Sequence, residues 1–454
     1  MATTAEPGAR SPLMVSVAGV RGIVGDALTP EVVAAFVSAY ARTLPGRMVL
    51  VGGDSRASRA WIEPLVVSTL VRLGKEVVRI GLAPTPTFGI LVREFKAAGG
   101  VAITASHNPA PYNGLKFFTA KGVFLGPEEF AAMKEALGGP EPSPAARPAE
   151  EVSLPPEESL LLHRAAVQAA LPIRRGRLKV LIDCCNGAGS YLAPAVARDY
   201  GAAPMALFDD PTREFPHEAE PLPENLSALR KSVCAEGAAL GFAIDPDADR
   251  LALVDECGRA IGEERTLLLA ADAYLALAKR KGPIVANLSS TRALDDLAAK
   301  HGVRLHRSKV GEAHVVGMIR EKRALIGGEG NGGVIVPAVH PGRDAATGIA
   351  LILLGLAQKK GRTLAKWNAE FPDYTLVKDK VSIEGLDAKA ILARLPALFP
   401  GGEADDTDGL KIVFPDRWVQ VRASGTEPIL RVFAEAPTED GARALVAAAR
   451  GAVR

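Results

Sequence analysis

The chain has 454 residues, and its 54 Lys and Arg against 52 Asp and Glu leave a formal net charge of +2. That balance lacks the basic excess usual in proteins that hold nucleic acid or anionic membranes, so nothing in it argues for either class. Apolar residues at 48% and charged residues at 23% describe a globular chain, and the length suggests about three domains rather than one core.

The opening MATTAEPGARSP lacks the charged and then apolar pattern of a secretory signal. Cys184, Cys185, Cys234 and Cys257 form no C-x-x-C pair, and adjacent Cys184 and Cys185 make a poor disulfide. A reduced, cytoplasmic setting is expected. The apolar run GIALILLGLA (348–357) is about half a membrane span.

In chain order, RMVLVGG, EVVRIG and GVAIT read as strands, with helices over 59–73 and 86–96 between them. Strand–helix alternation predicts a mainly parallel α/β unit over residues 1–138. Residues 139–156 hold six prolines, a density that predicts a linker. A second α/β unit is expected over 158–262, with strands at 178–183, 239–245 and 251–258. A third spans 263–371, with PIVANLS, a helix from about 291, ALIGGEGNGG and a helix over 344–360. The three units suggest a degenerate repeat that the residues alone do not establish. Residues 372–454 read strand, helix, three strands and helix, which predicts an α+β unit with an antiparallel sheet.

Four loops carry candidate chemistry. IDPDADR places Asp245, Asp247 and Asp249 at i, i+2, i+4 after an apolar strand. Three carboxylates this close repel one another unless a cation neutralises them, and an all-oxygen set suits Mg²⁺ before Zn²⁺. A solvated acidic turn is the plainer alternative. A phosphatase-type site with Asp245 as nucleophile is another.

In TASHNPAPYNGLK, Ser106 follows a strand at its C-terminal end, where α/β proteins place ligands. A tight turn at YNG would fold Lys116 back toward Ser106 and His107. Beside a cation or phosphate site such a lysine can have a lowered pKa and serve as a base. RASGTEP, from Arg422 to Pro428, offers an anion cradle or a small polar turn. GGEGNGG (327–333) lets backbone approach a ligand while Glu329 and Asn331 bond hydroxyls; a flexible loop is the alternative. CNGAG lacks the G-x-G-x-x-G spacing of a dinucleotide site. His163, His301, His306 and His340 lack metal-type spacing and read as ordinary surface or core residues, and Cys184 reads as a small buried side chain.

Together, TASHNPAPYNGLK, DPDADR, GEGNGG and RASGTEP resemble the four signature loops of the α-D-phosphohexomutases, in that family's order. Arg21 in GVRGIVG and the segment PLPENL (221–226) are similar to family features as well, and the resemblance spans about residues 12–435. It implies three similar α/β domains and a smaller α+β domain resembling the TATA-box-binding-protein fold, around a central cleft. It further implies transfer of a phosphoryl group between O1 and O6 of a hexose through a bisphosphorylated sugar.

By this resemblance Ser106 stores the phosphoryl group, and Mg²⁺ sits on Asp245, Asp247, Asp249 and the Ser106 phosphate. Lys116 is the general base, with Arg21 and His107 supporting the reacting end and Arg250 beside the metal loop. Glu329 and Asn331 grip sugar hydroxyls, while Arg422, Ser424, Gly425 and Thr426 hold the non-reacting phosphate. The implied ligands are small sugar phosphates, with a hexose 1,6-bisphosphate as intermediate and activator, and the implied assembly is a monomer or homodimer. The sugar loop lacks the Ser and His of a G-E-x-S-G-H pattern and is similar to archaeal-type phosphoglucosamine or phosphomannose mutases. The expected substrate is glucosamine phosphate, then mannose or glucose phosphate. A metal-dependent sugar phosphatase and a non-catalytic sugar-phosphate-binding protein are the competing readings.

Overall fold

Short aliphatic, β-branched runs closed by glycine or charged residues build twenty strands among residues 12–139, 149–424 and 428–452, which the computed structural model describes. The first sheet contains β1 (Met14–Ser16), β2 (Gly19–Ile23), β3 (Met48–Gly53), β4 (Glu76–Leu82), β5 (Gly99–Ile103), β6 (Tyr112–Thr119) and β7 (Glu151–Ser153). Its order is β1-β2-β6-β5-β3-β4-β7. The second holds β8 (Leu178–Asp183), β9 (Ala202–Leu207), β10 (Leu240–Ile244) and β11 (Leu251–Asp255), ordered β11-β10-β8-β9. The third holds β12 (Ile284–Asn287), β13 (Leu305–Ser308), β14 (Ile326–Glu329) and β15 (Gly333–Ile335), ordered β13-β12-β14-β15.

These three sheets share one wiring. In each, three parallel strands are followed by a fourth that returns antiparallel along the third, as β5–β6, β10–β11 and β14–β15. Numbered by chain order, β3–β6, β8–β11 and β12–β15 each lie 4-3-1-2, and the first sheet adds β1 and β2 at one edge and β7 at the other. The repeat that the sequence only suggested is therefore present as topology. The fourth sheet is antiparallel, with β16 (Thr375–Ser382), β17 (Glu403–Asp405), β18 (Leu410–Val413), β19 (Trp418–Ala423) and β20 (Ile429–Ala436) ordered β16-β20-β19-β18-β17. The helix Glu439–Gly451, capped by Thr438, buries Ala442, Val446 and Ala449 against it at helical spacing.

Two expectations are corrected. Part of the proline-rich linker is structured: Glu151–Ser153, a proline-free stretch, pairs parallel to β4 at the exposed edge of the first sheet, and Pro156 opens the helix Pro156–Ala170. YNG is not a turn. Tyr112, Asn113 and Gly114 begin β6, which pairs with both β2 and β5, and the chain reverses over 104–111 instead. Two flanking partners supply more ladder bonds than a local turn would, and that overrides the turn-prone residues.

The second and third units share a continuous apolar core in which Phe242 and Leu253 join Leu268, Ile349 and Trp367. The run 348–357 lies in the buried helix Ala345–Ala357 of that core, and no helix among the described residues is long and apolar enough to cross a membrane. His163 and His340 are core residues, as expected. Thr87 Oγ1 lies 2.9 Å from His163 Nδ1, and His163 Nε2 lies 3.1 Å from Asp344 Oδ2. This chain is arranged like a hydrolytic triad, but all three side chains are buried, so it clamps the first unit to the third.

Candidate active site

The shared wiring decides where the chemistry sits. The turn of each unit's terminal hairpin is a motif loop: 104–111 after β5, 245–250 after β10, and 330–332 after β14. The fourth motif begins with Arg422 and Ala423 at the end of β19. Equivalent loops of equivalent units face one cleft of about 650 Å³, lined by His107, Arg250, Glu329, Asn331 and Arg422 among others.

Ser106 lies just past β5 with φ of +52°, a conformation non-glycine residues seldom adopt, and is buried. Its hydroxyl donates to Asp245 Oδ2 at 2.9 Å, joining the first loop to the second. His107 Nδ1 is 3.4 Å from the same hydroxyl, and its other nitrogen faces Arg250 Nη2 at 3.4 Å. Burial, then Arg250 and Arg21, push the His107 pKa well below its ordinary value, so the ring is neutral at pH 7. Arg21, on β2, donates to Asn108 Oδ1 at 3.2 Å. Arg250 pairs with Glu220 at 2.8 Å.

Lys116 stands opposite Ala102 in the β5–β6 ladder and reaches the acidic loop from a strand. Its Nζ lies 2.7 Å from Asp247 Oδ2 and 3.0 Å from Asp249 Oδ2, all three side chains being buried. The expected lowering of its pKa is corrected here. Burial opposes the charge, but Asp247 and Asp249 outweigh it and raise the pKa. The three aspartates divide unequally. Burial, then Asp249 and Asp247, push Asp245 well up. Burial would also raise the other two, yet Lys116 holds Asp247 down and Arg343 does the same for Asp249.

The donor set fits a hard divalent cation. Asp245, Asp247 and Asp249 each offer an oxygen within 4.8 Å of the others. Asp247 Oδ1 and Asp249 Oδ1 are buried without a hydrogen-bond partner, the state of carboxylate oxygens kept for a metal. Asp245 Oδ1 accepts from the backbone N–H groups of Asp249 and Arg250 at 3.0 Å each, which fixes the loop.

Glu329 accepts from Asn287 Nδ2 at 3.0 Å and from Gly311 N at 2.9 Å, so it is already oriented at the cleft wall. Asn331 Oδ1 accepts from Gly333 N at 3.3 Å. Arg422 also faces the cleft, with a buried Nε that has no partner. Ser424 continues its loop, while Gly425 and Thr426 lie outside the described residues.

Several site residues were not found from the sequence. Arg343 Nη2 binds Asp249 at 2.7 Å, its Nε binds Glu312 at 2.8 Å, and its Nη1 lies 3.4 Å from Glu329. It occupies the room left by Gly333, where a Cβ would stand 2.2 Å from Arg343 Cδ. Thr85, from the first unit, donates its hydroxyl to Asp247 at 2.5 Å. Lys378, Lys380 and Arg431 add positive charge from the fourth unit to the same cleft. A lone residue in an unremarkable segment gives no local signal of such convergence.

Three repeated α/β units and one α+β unit, each contributing a loop to one polar cleft, define the class as a phosphohexomutase, an isomerase that transfers phosphate within its substrate. The sequence matches the family descriptions "Phosphoglucomutase/phosphomannomutase, alpha/beta/alpha" domain I over residues 13–139, domain II over 162–258 and domain III over 263–374, and the C-terminal domain over 377–452. The chain belongs to the phosphoglucomutase/phosphomannomutase family, the α-D-phosphohexomutases.

It is 38% identical to a phosphoglucomutase/phosphomannomutase of Thermococcus kodakarensis, covering 94% of this chain and 95% of that one. It is 35% identical to a "probable phosphoglucosamine mutase" of Methanopyrus kandleri, covering 94% of each. A phosphoglucomutase/phosphomannomutase family protein of Burkholderia thailandensis shares the fold at a TM-score of 0.81 and 23% identity, over 97% of this chain and 98% of that one. The Aspergillus fumigatus N-acetylphosphoglucosamine mutase, solved with GlcNAc-6P and magnesium, shares the fold at 0.62 and 16% identity, over 99% and 97% of the two chains.

Proposed function

We propose that this enzyme interconverts hexose 6-phosphate and hexose 1-phosphate through phosphorylated Ser106, with glucosamine phosphate as the preferred substrate and mannose and glucose phosphates as poorer ones. One observation carries the reading: the Ser106 hydroxyl, 2.9 Å from Asp245, lies in the same buried cluster as Lys116 Nζ. The sugar preference rests on the names of full-length relatives such as the Methanopyrus protein.

In the forward half, the free sugar hydroxyl attacks the phosphorus on Ser106. The new O–P bond forms as the Ser106 Oγ–P bond breaks; Lys116, charged while it pairs with Asp247 and Asp249, would first give up its proton where a cation neutralises those carboxylates, and would then accept the hydroxyl proton. The bisphosphorylated sugar then turns round. Its other phosphate passes to Ser106 Oγ, and Lys116 returns the proton to the departing sugar oxygen. His107 and Arg21 orient the reacting end. Asp245, Asp247, Asp249 and the Ser106 phosphate would hold Mg²⁺, which would neutralise charge developing on the phosphoryl group and relieve Lys116 of balancing the carboxylates alone. Glu329 and Asn331 hold sugar hydroxyls. Arg422, with Ser424, Gly425 and Thr426, grips the phosphate that is not reacting.

Each 1-phosphate, of glucosamine, mannose and glucose, is to be followed by ³¹P NMR with Mg²⁺ and a trace of hexose 1,6-bisphosphate. The 6-phosphate signal should replace the 1-phosphate signal without inorganic phosphate, fastest for glucosamine, and chelator should stop it. Stoichiometric inorganic phosphate would instead support a phosphatase. Binding without turnover would leave only a sugar-phosphate-binding protein.

The cleft also predicts how its far end behaves. A hydrogen bond to a charged group contributes about 1.5–3 kcal/mol, or roughly 10- to 150-fold in affinity. Arg422→Ala should lower kcat/KM by about that factor while Ser106 still takes up phosphate. An unchanged kcat/KM would remove Arg422 from the distal phosphate site.

A further inference from the structure

We propose that Arg56 is a positioning residue that sets the Ser106 loop in its reactive conformation; the inference rests on the reading of Ser106 as phosphoryl carrier. Arg56 lies between β3 and the helix Arg59–Arg72, and its side chain is 1% exposed. Its Nη2 donates to Ser106 O at 2.7 Å and to Asn108 O at 2.6 Å. Its Nη1 donates to Pro109 O and Tyr112 O, both at 2.8 Å. Its Nε donates to Asp54 Oδ2 at 3.2 Å. All five N–H donors of the guanidinium are used, three of them on the loop that carries Ser106 and a fourth on Tyr112, where that loop enters β6.

Asp54 closes the network. Its Oδ2 accepts the Thr104 hydroxyl at 2.6 Å, and Thr104 Oγ1 in turn accepts from Ser106 N at 2.8 Å. Ser106 is thus held at its N–H through Thr104 and at its carbonyl by Arg56. The Phe215 ring covers the guanidinium at 5.0 Å.

The loop needs this hold. Four carbonyl dipoles pointing at one buried centre repel unless a cation fills it, and a left-handed Ser106 is a conformation the chain does not choose unaided. The direction of Ser106 Oγ, and with it the 2.9 Å approach to Asp245, follows from that backbone. Lysine would keep the charge beside Asp54, but three donors on one nitrogen cannot span four carbonyls. Arg56 does not point into the substrate cleft, so its removal should act on the transfer step and leave sugar binding alone.

The test follows phosphoryl transfer from glucose 1,6-bisphosphate to Ser106 in a single turnover, by quenched flow and peptide mass spectrometry, for wild type, Arg56→Lys and Asp54→Asn. A displacement of about 1 Å at a reacting group costs on the order of 100-fold, so Arg56→Lys should transfer about 100-fold more slowly. Asp54→Asn loosens the guanidinium without removing it and should lose about 10-fold. For both, the KM for glucose 1-phosphate should stay close to wild type, while the melting temperature should fall because buried carbonyls lose donors, with the protein still folded at the assay temperature.

Transfer at the wild-type rate in both folded variants would overturn the inference. So would a loss of transfer accompanied by a KM raised in the same proportion, which marks a purely structural residue. If Arg56→Lys does not fold, Asp54→Asn decides by the same criteria. If wild-type Ser106 takes up no phosphate, the carrier reading fails and this inference falls with it.

Discussion

Replacing Ser106 by alanine is expected to lower kcat by at least about a thousandfold while the protein remains folded. The stability cost should be small. The substitution removes one hydroxyl and its bond to Asp245, a contribution of about 1 kcal/mol, and Asp245 keeps its two backbone donors. The kinetic cost should be large because no neighbour can stand in for the carrier. The Thr104 hydroxyl already bonds Asp54, and the Thr85 hydroxyl bonds Asp247. Steady-state assays beside thermal unfolding separate the two effects. Turnover near wild type in Ser106→Ala would rule out a stored phosphoryl group.

Lys116→Met should lower kcat by about 10²- to 10⁴-fold, the range for loss of a general acid–base group, with a smaller change in KM. It should also change how the protein responds to Mg²⁺. Without Lys116, two buried carboxylates lose a partner at 2.7 and 3.0 Å. Breaking a buried pair costs about 3–5 kcal/mol. The variant should therefore melt lower than wild type in chelator and gain more on addition of Mg²⁺, because the cation no longer competes with an ammonium group. Retained kcat would show that the proton moves by another route. An equal Mg²⁺ stabilisation in both proteins would show that Lys116 and the cation do not share the carboxylates.

The parts of the site legible in the sequence are those written in a few consecutive residues. Asp245, Asp247 and Asp249 declare themselves by spacing, and the structure finds them within 4.8 Å of one another. The unit order was legible too, because strand and helix periods alternate down the chain. Convergence was not. Thr85, Lys116, Asp249, Glu312 and Arg343 come from three units and meet only after those units pack. The raised pKa of Lys116 is a product of that meeting, so reading the lysine alone gave the opposite direction. YNG misled for a related reason: local turn preference was outweighed by ladders to β2 and β5 that the sequence does not announce. The glycines of the sugar loop are explained only in three dimensions, Gly333 by the Arg343 side chain that fills its place.

The shared 4-3-1-2 wiring gives the site a simple logic. Three hairpin turns at equivalent places carry Ser106 and His107, the three aspartates with Arg250, and Asn331, and the fourth unit adds Lys378, Lys380, Arg422 and Arg431 to the cleft that His107, Arg250 and Asn331 line. A bisphosphorylated sugar that turns round needs one reactive end and one end that accepts either phosphate.

The most direct test of this account is the covalent state of Ser106. Protein incubated with glucose 1,6-bisphosphate and Mg²⁺, then digested and mapped by mass spectrometry, should carry one phosphate, on the peptide containing Ser106. That phosphate should leave when glucose 6-phosphate is added, and the departing phosphorus should be recovered in bisphosphorylated sugar. Phosphate found on Asp245, or released as inorganic phosphate without Ser106 ever being modified, would contradict it.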